Sequence, residues 1–216
     1  YKSRMCDRGD SGRGQDGGYG ALAEAIAAEG WAVVPGFVES ELISKLCAEC
    51  RWLFAKGALR AAAVGSGAGR QTRSDIRTDE IRWLEEADAT PAQRRCLARF
   101  EALRLEFNRE LQLGLFEFEC HFSRYAPGAF YRKHLDQFRG DGRRRLSCVL
   151  YLNENWARED GGELRLHLDA GETGQVADVL PVGGTLVLFL SQRIAHEVLP
   201  GKRERLSIAG WFKTRG

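Results

Sequence analysis

His134 and Asp136 stand two residues apart in Tyr131-Arg-Lys-His-Leu-Asp-Gln-Phe138, in a chain that has only 4 histidines. On an extended strand that spacing turns both side chains to one face and Leu135 to the other. An imidazole and a carboxylate on one face can grip a divalent cation from one side. His196 offers a third donor far downstream, and Arg205 follows it closely. If Gly201-Lys202 forms a two-residue hairpin turn, Ser207 stands opposite His196 and Arg205 lies diagonal to it on the same face. The inward row then reads Arg205, Ser207, Ala209 and Trp211: a guanidinium, two small residues that leave a slot, and a ring that closes it. A pairing slipped by one residue would turn Arg205 away. A planar guanidinium in such a slot suits one end of a dicarboxylate through paired, charge-assisted hydrogen bonds.

Two histidines and one carboxylate on one side of a metal are the donor set of non-haem Fe(II) oxygenases. The opposite side stays open for a chelating 2-oxo acid and O2. The plainer alternative is a buried, hydrogen-bonded His134–Asp136 pair with His196 at the surface, and Arg205 and Tyr151 count against it. His121 and His167 have no ligand partner at a useful spacing. Cys47 and Cys50 fall within a predicted helix and read as packing, and Gly65-Ser-Gly-Ala-Gly69 reads as a loop.

The elements that must position these residues change character half-way along. Residues 20–29 are Ala-rich and predict a helix, and 31–37 predict a short strand. Ser40 is placed to cap a helix to about Lys56, with Leu42, Ile43, Leu46 and Leu53 as its apolar stripe. Residues 57–80 predict a long loop, which inside a compact domain is uncommon and often functional. Pro91 starts a strong helix that runs to Leu113. After Gly114 the period drops to two, in 116–122 and 145–152, and short strands are expected at 163–168, 175–180, 185–190, 194–199 and 204–212. Trp31, Trp52 and Trp156 read as core. Helices followed by about eight strands predict an α+β protein: a sandwich or barrel backed by N-terminal helices.

A chain of 216 residues fits one domain with extensions or at most two small ones, and 44% hydrophobic residues are ample for a core. A net charge of +2 gives no overall drive toward nucleic acid or anionic lipid. No apolar run approaches the roughly 20 residues a bilayer span needs. Residues 1–19 read as a flexible leader, and 20–216 as a single catalytic domain. Six cysteines at irregular spacing, with no secretory signal, suggest free thiols and a cytoplasmic protein.

His134-Leu-Asp136, His196 and Arg205 together resemble the pattern of 2-oxoglutarate-dependent Fe(II) dioxygenases. Within that group the chain is similar to the oxygen-sensing, EGLN-type prolyl hydroxylases and their bacterial members. The likeness rests on Ser74-Asp-Ile-Arg-Thr-Asp-Glu-Ile-Arg-Trp83, Arg124-Tyr-Ala-Pro-Gly128, Gly140-Asp-Gly-Arg143, Tyr151-Leu-Asn153, Gly161-Gly-Glu-Leu164 and Gly210-Trp-Phe212, spanning about residues 30–213. The resemblance implies a double-stranded β-helix (jelly-roll) core over 114–213, with 20–113 as helical support carrying a substrate loop at 57–83. It implies Fe(II) on His134, Asp136 and His196, and 2-oxoglutarate on Arg205 and Tyr151, with Tyr125, Ser207 and Trp211 beside it. The Asp75-Ile76-Arg77 segment would fold over a substrate whose groove Arg144 and Trp211 line. O2 is the other cosubstrate and ascorbate a candidate reductant. The implied reaction is hydroxylation of a prolyl residue in a protein loop, with succinate and CO2 released. Elongation factor Tu is the candidate partner. The same cofactors acting on another residue or a small molecule, or a non-catalytic 2-oxoglutarate- and metal-sensing module, are the competing readings.

Overall fold

Thr90 and Gln93 start the longest helix by capping each other. The Thr90 hydroxyl accepts from the Gln93 N–H, and the Gln93 side chain accepts from the Thr90 N–H. Pro91 opens this helix, α3 (Pro91–Leu111), at a position where its missing N–H costs nothing. Gln112, left-handed at φ 50°, ends it just before the expected Leu113. The computed structural model describes residues 16–63, 71–137, 142–169 and 174–215. Residues 1–15 of the expected leader, Gly65–Gly69, and Gly140 with Asp141 lie outside these.

Ahead of α3 lie α1 (Asp16–Glu29), β1 (Trp31–Val34), α2 (Ser40–Ala55), β2 (Arg60–Ala61) and β3 (Glu80–Leu84). Ser40 is the first residue of α2 rather than its cap. The cap position is Glu39, whose carboxylate instead pairs with Arg95. Trp52, expected in the core, is 60% exposed, because the buried stripe of α2 runs through Leu42, Ile43, Leu46, Cys47 and Cys50 on another face. After α3 come β4 (Leu115–Tyr125), β5 (Tyr131–His134), β6 (Arg144–Tyr151), β7 (Leu164–His167), β8 (Val176–Val179), β9 (Leu186–Leu190), β10 (Ala195–Val198) and β11 (Arg205–Thr214).

The strands form a seven-stranded sheet in the order β1-β9-β6-β11-β4-β3-β2 and a four-stranded sheet in the order β5-β10-β7-β8. All named neighbours are antiparallel. The two faces of the larger sheet bury different things. Cys120, Phe122, Leu146, Leu150, Leu188, Ile208 and Phe212 point to the helices and pack with Phe100, Leu103 and Phe107. The alternate positions Tyr125, Val149, Tyr151, Val187 and Phe189 point the other way and pack with Leu164, Leu166 and Val198 of the smaller sheet. Each fully buried side chain of this size contributes about 1.5–3 kcal/mol. Burial on both faces explains why β6 and β9 read as nearly continuous apolar runs. The result is the expected jelly roll backed by helices. No helix among the described residues is long and apolar enough to cross a membrane.

The expected β10–β11 hairpin does not form. Both edges of β10 are taken by β5 and β7, and both edges of β11 by β4 and β6. The chain crosses from one sheet to the other at Gly201, whose carbonyl accepts from the Gly128 N–H at 2.8 Å. A Cβ on Gly201 would stand 3.2 Å from the Gly162 Cα, so close packing against the 160–162 turn takes the place of a hairpin turn.

Candidate active site

The smaller sheet supplies the histidines. His134 ends β5 and pairs directly with His196 on β10, which leaves the two ring centroids 4.2 Å apart. The strand stops there, so a bend rather than a pleat brings Asp136 round beside them. Asp136 Oδ1 lies 3.4 Å from His134 Nε2, and Oδ2 lies 3.6 Å from His196 Nε2. One donor atom from each of the three lies within 4.8 Å of the others.

Each Nδ1 faces a backbone carbonyl, that of Arg132 at 2.8 Å for His134 and of Ile194 at 3.3 Å for His196. A carbonyl only accepts, so Nδ1 carries the hydrogen and Nε2 keeps its lone pair when the ring is neutral. Burial, then the neighbouring His134, pushes His196 down to about 4, so it is neutral at physiological pH. Burial works against ionisation of Asp136, but the imidazoles of His196 and His134 override it and hold the carboxyl well below its usual range. Ser147 Oγ donates to Asp136 Oδ2 at 2.8 Å and is itself 2.8 Å from Ser191 Oγ. Two imidazoles whose Nε2 atoms turn toward an oriented carboxylate on one side fit a divalent transition metal.

The larger sheet supplies the other wall. Arg205, Ser207, Ala209 and Trp211 all line the same cavity of about 320 Å³ as the three donors, as the inward row predicts. They face His196 across the gap between sheets, not along a shared ladder. Arg205 is 2% exposed; its Nε donates to the Gly162 carbonyl at 3.0 Å and its Nη1 to Ser207 Oγ at 3.4 Å. Arg205 Nη2 and Tyr151 Oη are buried with no hydrogen-bond partner among the described residues. The Arg205 Cζ is 5.0 Å from the ring centroids of both Tyr125 and Tyr151. Burial, opposed by Arg205, pushes Tyr151 up to about 12, so its hydroxyl keeps its proton as a donor. Buried donors left unmatched mark a place for an acceptor, and a carboxylate fits both.

Toward the mouth, Arg144 lies over the Trp211 ring at 3.8 Å and donates to Glu119 Oε1 at 2.8 Å, while Lys213 donates to Glu119 Oε2 at 3.0 Å. Asp75 and Ile76 are not among the lining residues; Asp75 sits on the outside, bonded by Arg73. Arg77 lines the cavity, but its guanidinium is committed to Asp79. Linear reading passed over His121, which is 2% exposed and sits against Trp83 and Trp211 at 4.9 and 5.4 Å. Its parity with Ser123 and Tyr125 on β4 was the available signal. Tyr131, Asp79 and Ser147 were also passed over.

A jelly roll with two histidines and a carboxylate facing a buried arginine has the build of a non-haem iron oxygenase. The sequence profile described as the 2OG-Fe(II) oxygenase superfamily matches residues 120–213. The fold is similar to the crystal structure of a Pseudomonas putida prolyl-4-hydroxylase, with a TM-score of 0.82 and 46% identity over 92% of this chain and 100% of that one. It is also similar to a Trichoplax adhaerens prolyl hydroxylase in complex with a hypoxia inducible factor peptide, at a TM-score of 0.78 and 23% identity over 90% of each chain. Among curated proteins, the hypoxia-inducible factor prolyl hydroxylase of Caenorhabditis elegans is 28% identical over 85% of this chain. The chain spans only 26% of that relative's length. The chain belongs to the 2-oxoglutarate–Fe(II) oxygenase superfamily, whose members use Fe(II), 2-oxoglutarate and O2.

Proposed function

We propose that the chain is an Fe(II)- and 2-oxoglutarate-dependent dioxygenase that hydroxylates a prolyl residue of a protein, releasing succinate and CO2. The observation that carries this is the meeting, in one cavity, of a three-donor cluster and a buried arginine–tyrosine pair with unmatched donors. The 46% identity to the Pseudomonas putida prolyl-4-hydroxylase supports the prolyl target.

His134, Asp136 and His196 would hold the metal. Arg205 would take the far carboxylate of 2-oxoglutarate, with the Tyr151 hydroxyl donating to the same group and Tyr125, Ser207 and Trp211 beside it. When bound, iron and 2-oxoglutarate supply the activation of O2 for hydroxylation. The protein contributes placement and exclusion of water: Ser147 orients the Asp136 carboxylate, and Leu164, Val149 and Val198 make the cavity wall apolar. Arg144 and Trp211 would line the peptide groove, with the Asp75-Ile76-Arg77 segment over it.

The candidate partner is a translation factor of the elongation factor Tu type, offering an exposed prolyl loop. A single catalytic domain over 20–216 and a cytoplasmic setting belong to the same proposal, and the latter is supported by Cys47, Cys50, Cys96, Cys120 and Cys148, the cysteines of the described residues, being free thiols. The test incubates candidate protein loops with enzyme, Fe(II), 2-oxoglutarate and ascorbate. Wild type is expected to add one oxygen atom at a prolyl residue and form matching succinate, and Asp136→Ala to do neither. Full turnover by Asp136→Ala, or succinate formation that no protein or peptide stimulates, overturns the reading.

A further inference from the structure

Tyr131 stands between the 71–79 segment and the donor cluster, and it stacks on a side chain from each. Its ring lies against the His134 imidazole with centroids 3.6 Å apart and planes 18° from parallel. The Arg77 guanidinium sits 4.2 Å from the same ring centroid. An imidazole that close covers one face of the phenol, so the guanidinium occupies the other. Arg77, Tyr131 and His134 therefore form a column of three planar groups, and His196 adjoins its inner end at 4.2 Å.

The outer end of the column is fixed as firmly as the inner one. Arg77 Nε and Nη2 donate to the two carboxylate oxygens of Asp79 at 2.7 and 2.6 Å, and that carboxylate is fully buried. A bidentate pair fixes the plane of the guanidinium as well as its position. The backbone repeats the connection. Arg77 and Tyr131 form an isolated antiparallel bridge, the Arg132 N–H donates to the Ile76 carbonyl at 2.9 Å, and the Thr78 N–H donates to the Phe130 carbonyl at 3.0 Å. The 71–79 segment is thus paired to the strand that ends in His134.

We infer that Tyr131 is a positioning residue that couples docking of the 71–79 segment to the geometry of His134, so that each stabilises the other. The inference rests on the proposed role of His134 as a metal ligand. When the segment lifts, Tyr131 loses the guanidinium from its outer face and regains side-chain freedom, and His134 loses the rigid surface that fixes its ring plane. The coupling is reciprocal: an ion that fixes His134 favours the stacked Tyr131 and hence the docked segment. Any occupant of the cavity that holds the segment down tightens the ligand cluster in the same way.

The test uses the full chain with Co(II) alone as probe, reading affinity and visible absorption, and hydrogen exchange of residues 71–79 with and without the ion. Tyr131→Phe keeps the stack and is expected to stay within about twofold of wild type, whereas Tyr131→Leu is expected to lower Co(II) affinity roughly tenfold or more and change the spectrum. Co(II) is expected to slow exchange of residues 71–79 in wild type and in Tyr131→Phe, but not in Tyr131→Leu. Arg77→Lys keeps a cation for Asp79 and removes the planar stack, so it decides the matter if Tyr131→Leu does not fold; weaker Co(II) binding and lost exchange coupling are expected. His134→Ala separates the two levels. If it abolishes Co(II) binding while Tyr131→Leu and Arg77→Lys both match wild type, the coupling is overturned and the site stands. If His134→Ala binds Co(II) like wild type, the site reading falls and takes the coupling with it.

Discussion

At the residue scale, Tyr151 separates stability from function. Its hydroxyl is buried and meets no acceptor among the described residues. Tyr151→Phe keeps the ring and opens no cavity, so the variant without cosubstrate is expected to unfold at about the same temperature as wild type. A hydrogen bond to a charged group is worth about 1.5–3 kcal/mol, so affinity for 2-oxoglutarate is expected to fall roughly tenfold or more. Thermal unfolding with and without 2-oxoglutarate and a metal reads both effects, because a ligand stabilises only in proportion to its binding. A variant that loses stability without cosubstrate yet keeps the full ligand-induced shift would contradict the placement. Ser147 is the opposite kind of residue: its hydroxyl is satisfied, and it acts by holding Asp136. Nothing in the linear spacing ties position 147 to position 136, so no reading of the chain alone finds that contact.

At the element scale, β11 carries the proposed cosubstrate wall on one face and part of the helix-side core on the other, and Gly210 is where the second face is tightest. A Cβ there would stand 2.6 and 2.8 Å from two Phe118 ring atoms and 2.9 Å from the Cys120 Cβ. Phe118 cannot swing aside freely, because its ring packs on Phe100 at 4.7 Å and on Phe212 at 4.6 Å. Gly210→Ala is therefore expected to destabilise the fold by about 1–3 kcal/mol, seen as a lower urea midpoint at unchanged slope. A neutral result would mean that the ring relaxes at no cost. The inward row of β11 was legible because alternation fixes the face of every residue once one is placed. Which strands flank β11 was not legible. Turn chemistry at Gly201 is local, whereas the choice between a hairpin and a crossing between sheets is made by contacts with Gly128 and the 160–162 turn. His196 and Arg205 meet in either arrangement, so the wrong pairing still predicted a shared site. The two-residue spacing of His134 and Asp136 likewise gave the correct cluster through a bend instead of a pleat.

At the scale of the whole molecule, the helical layer is tied to the site's outer rim by charge as well as by apolar packing. Glu204 accepts from Arg51 of α2 and from Arg124 of β4, each at 2.8 Å, and Arg124 also donates to Glu80 of β3 at 2.8 Å. The Arg124 guanidinium rests on the Phe54 ring at 3.4 Å. Arg124 and Glu204 immediately precede Tyr125 and Arg205 in the chain, so the network sits directly behind the proposed cosubstrate wall. Burial pushes the Glu204 carboxyl up, but the hydrogen bonds from Arg51 and Arg124 override it, leaving it below its usual 4.5. A carboxyl that is more acidic folded than unfolded adds stability at pH values above its unfolded pKa, and loses that contribution as pH falls through the folded value. Glu204→Gln is therefore expected to be less stable than wild type at neutral pH, by on the order of 1 kcal/mol since the pair is partly solvated. The difference should shrink as pH falls below about 4.5 and be nearly gone once both folded and unfolded carboxyls are protonated. Urea unfolding of the two proteins across that range checks it. A gap that stays constant into acid would assign the loss to packing of the side chain and remove the charge network from the account of how the helical layer holds the wall.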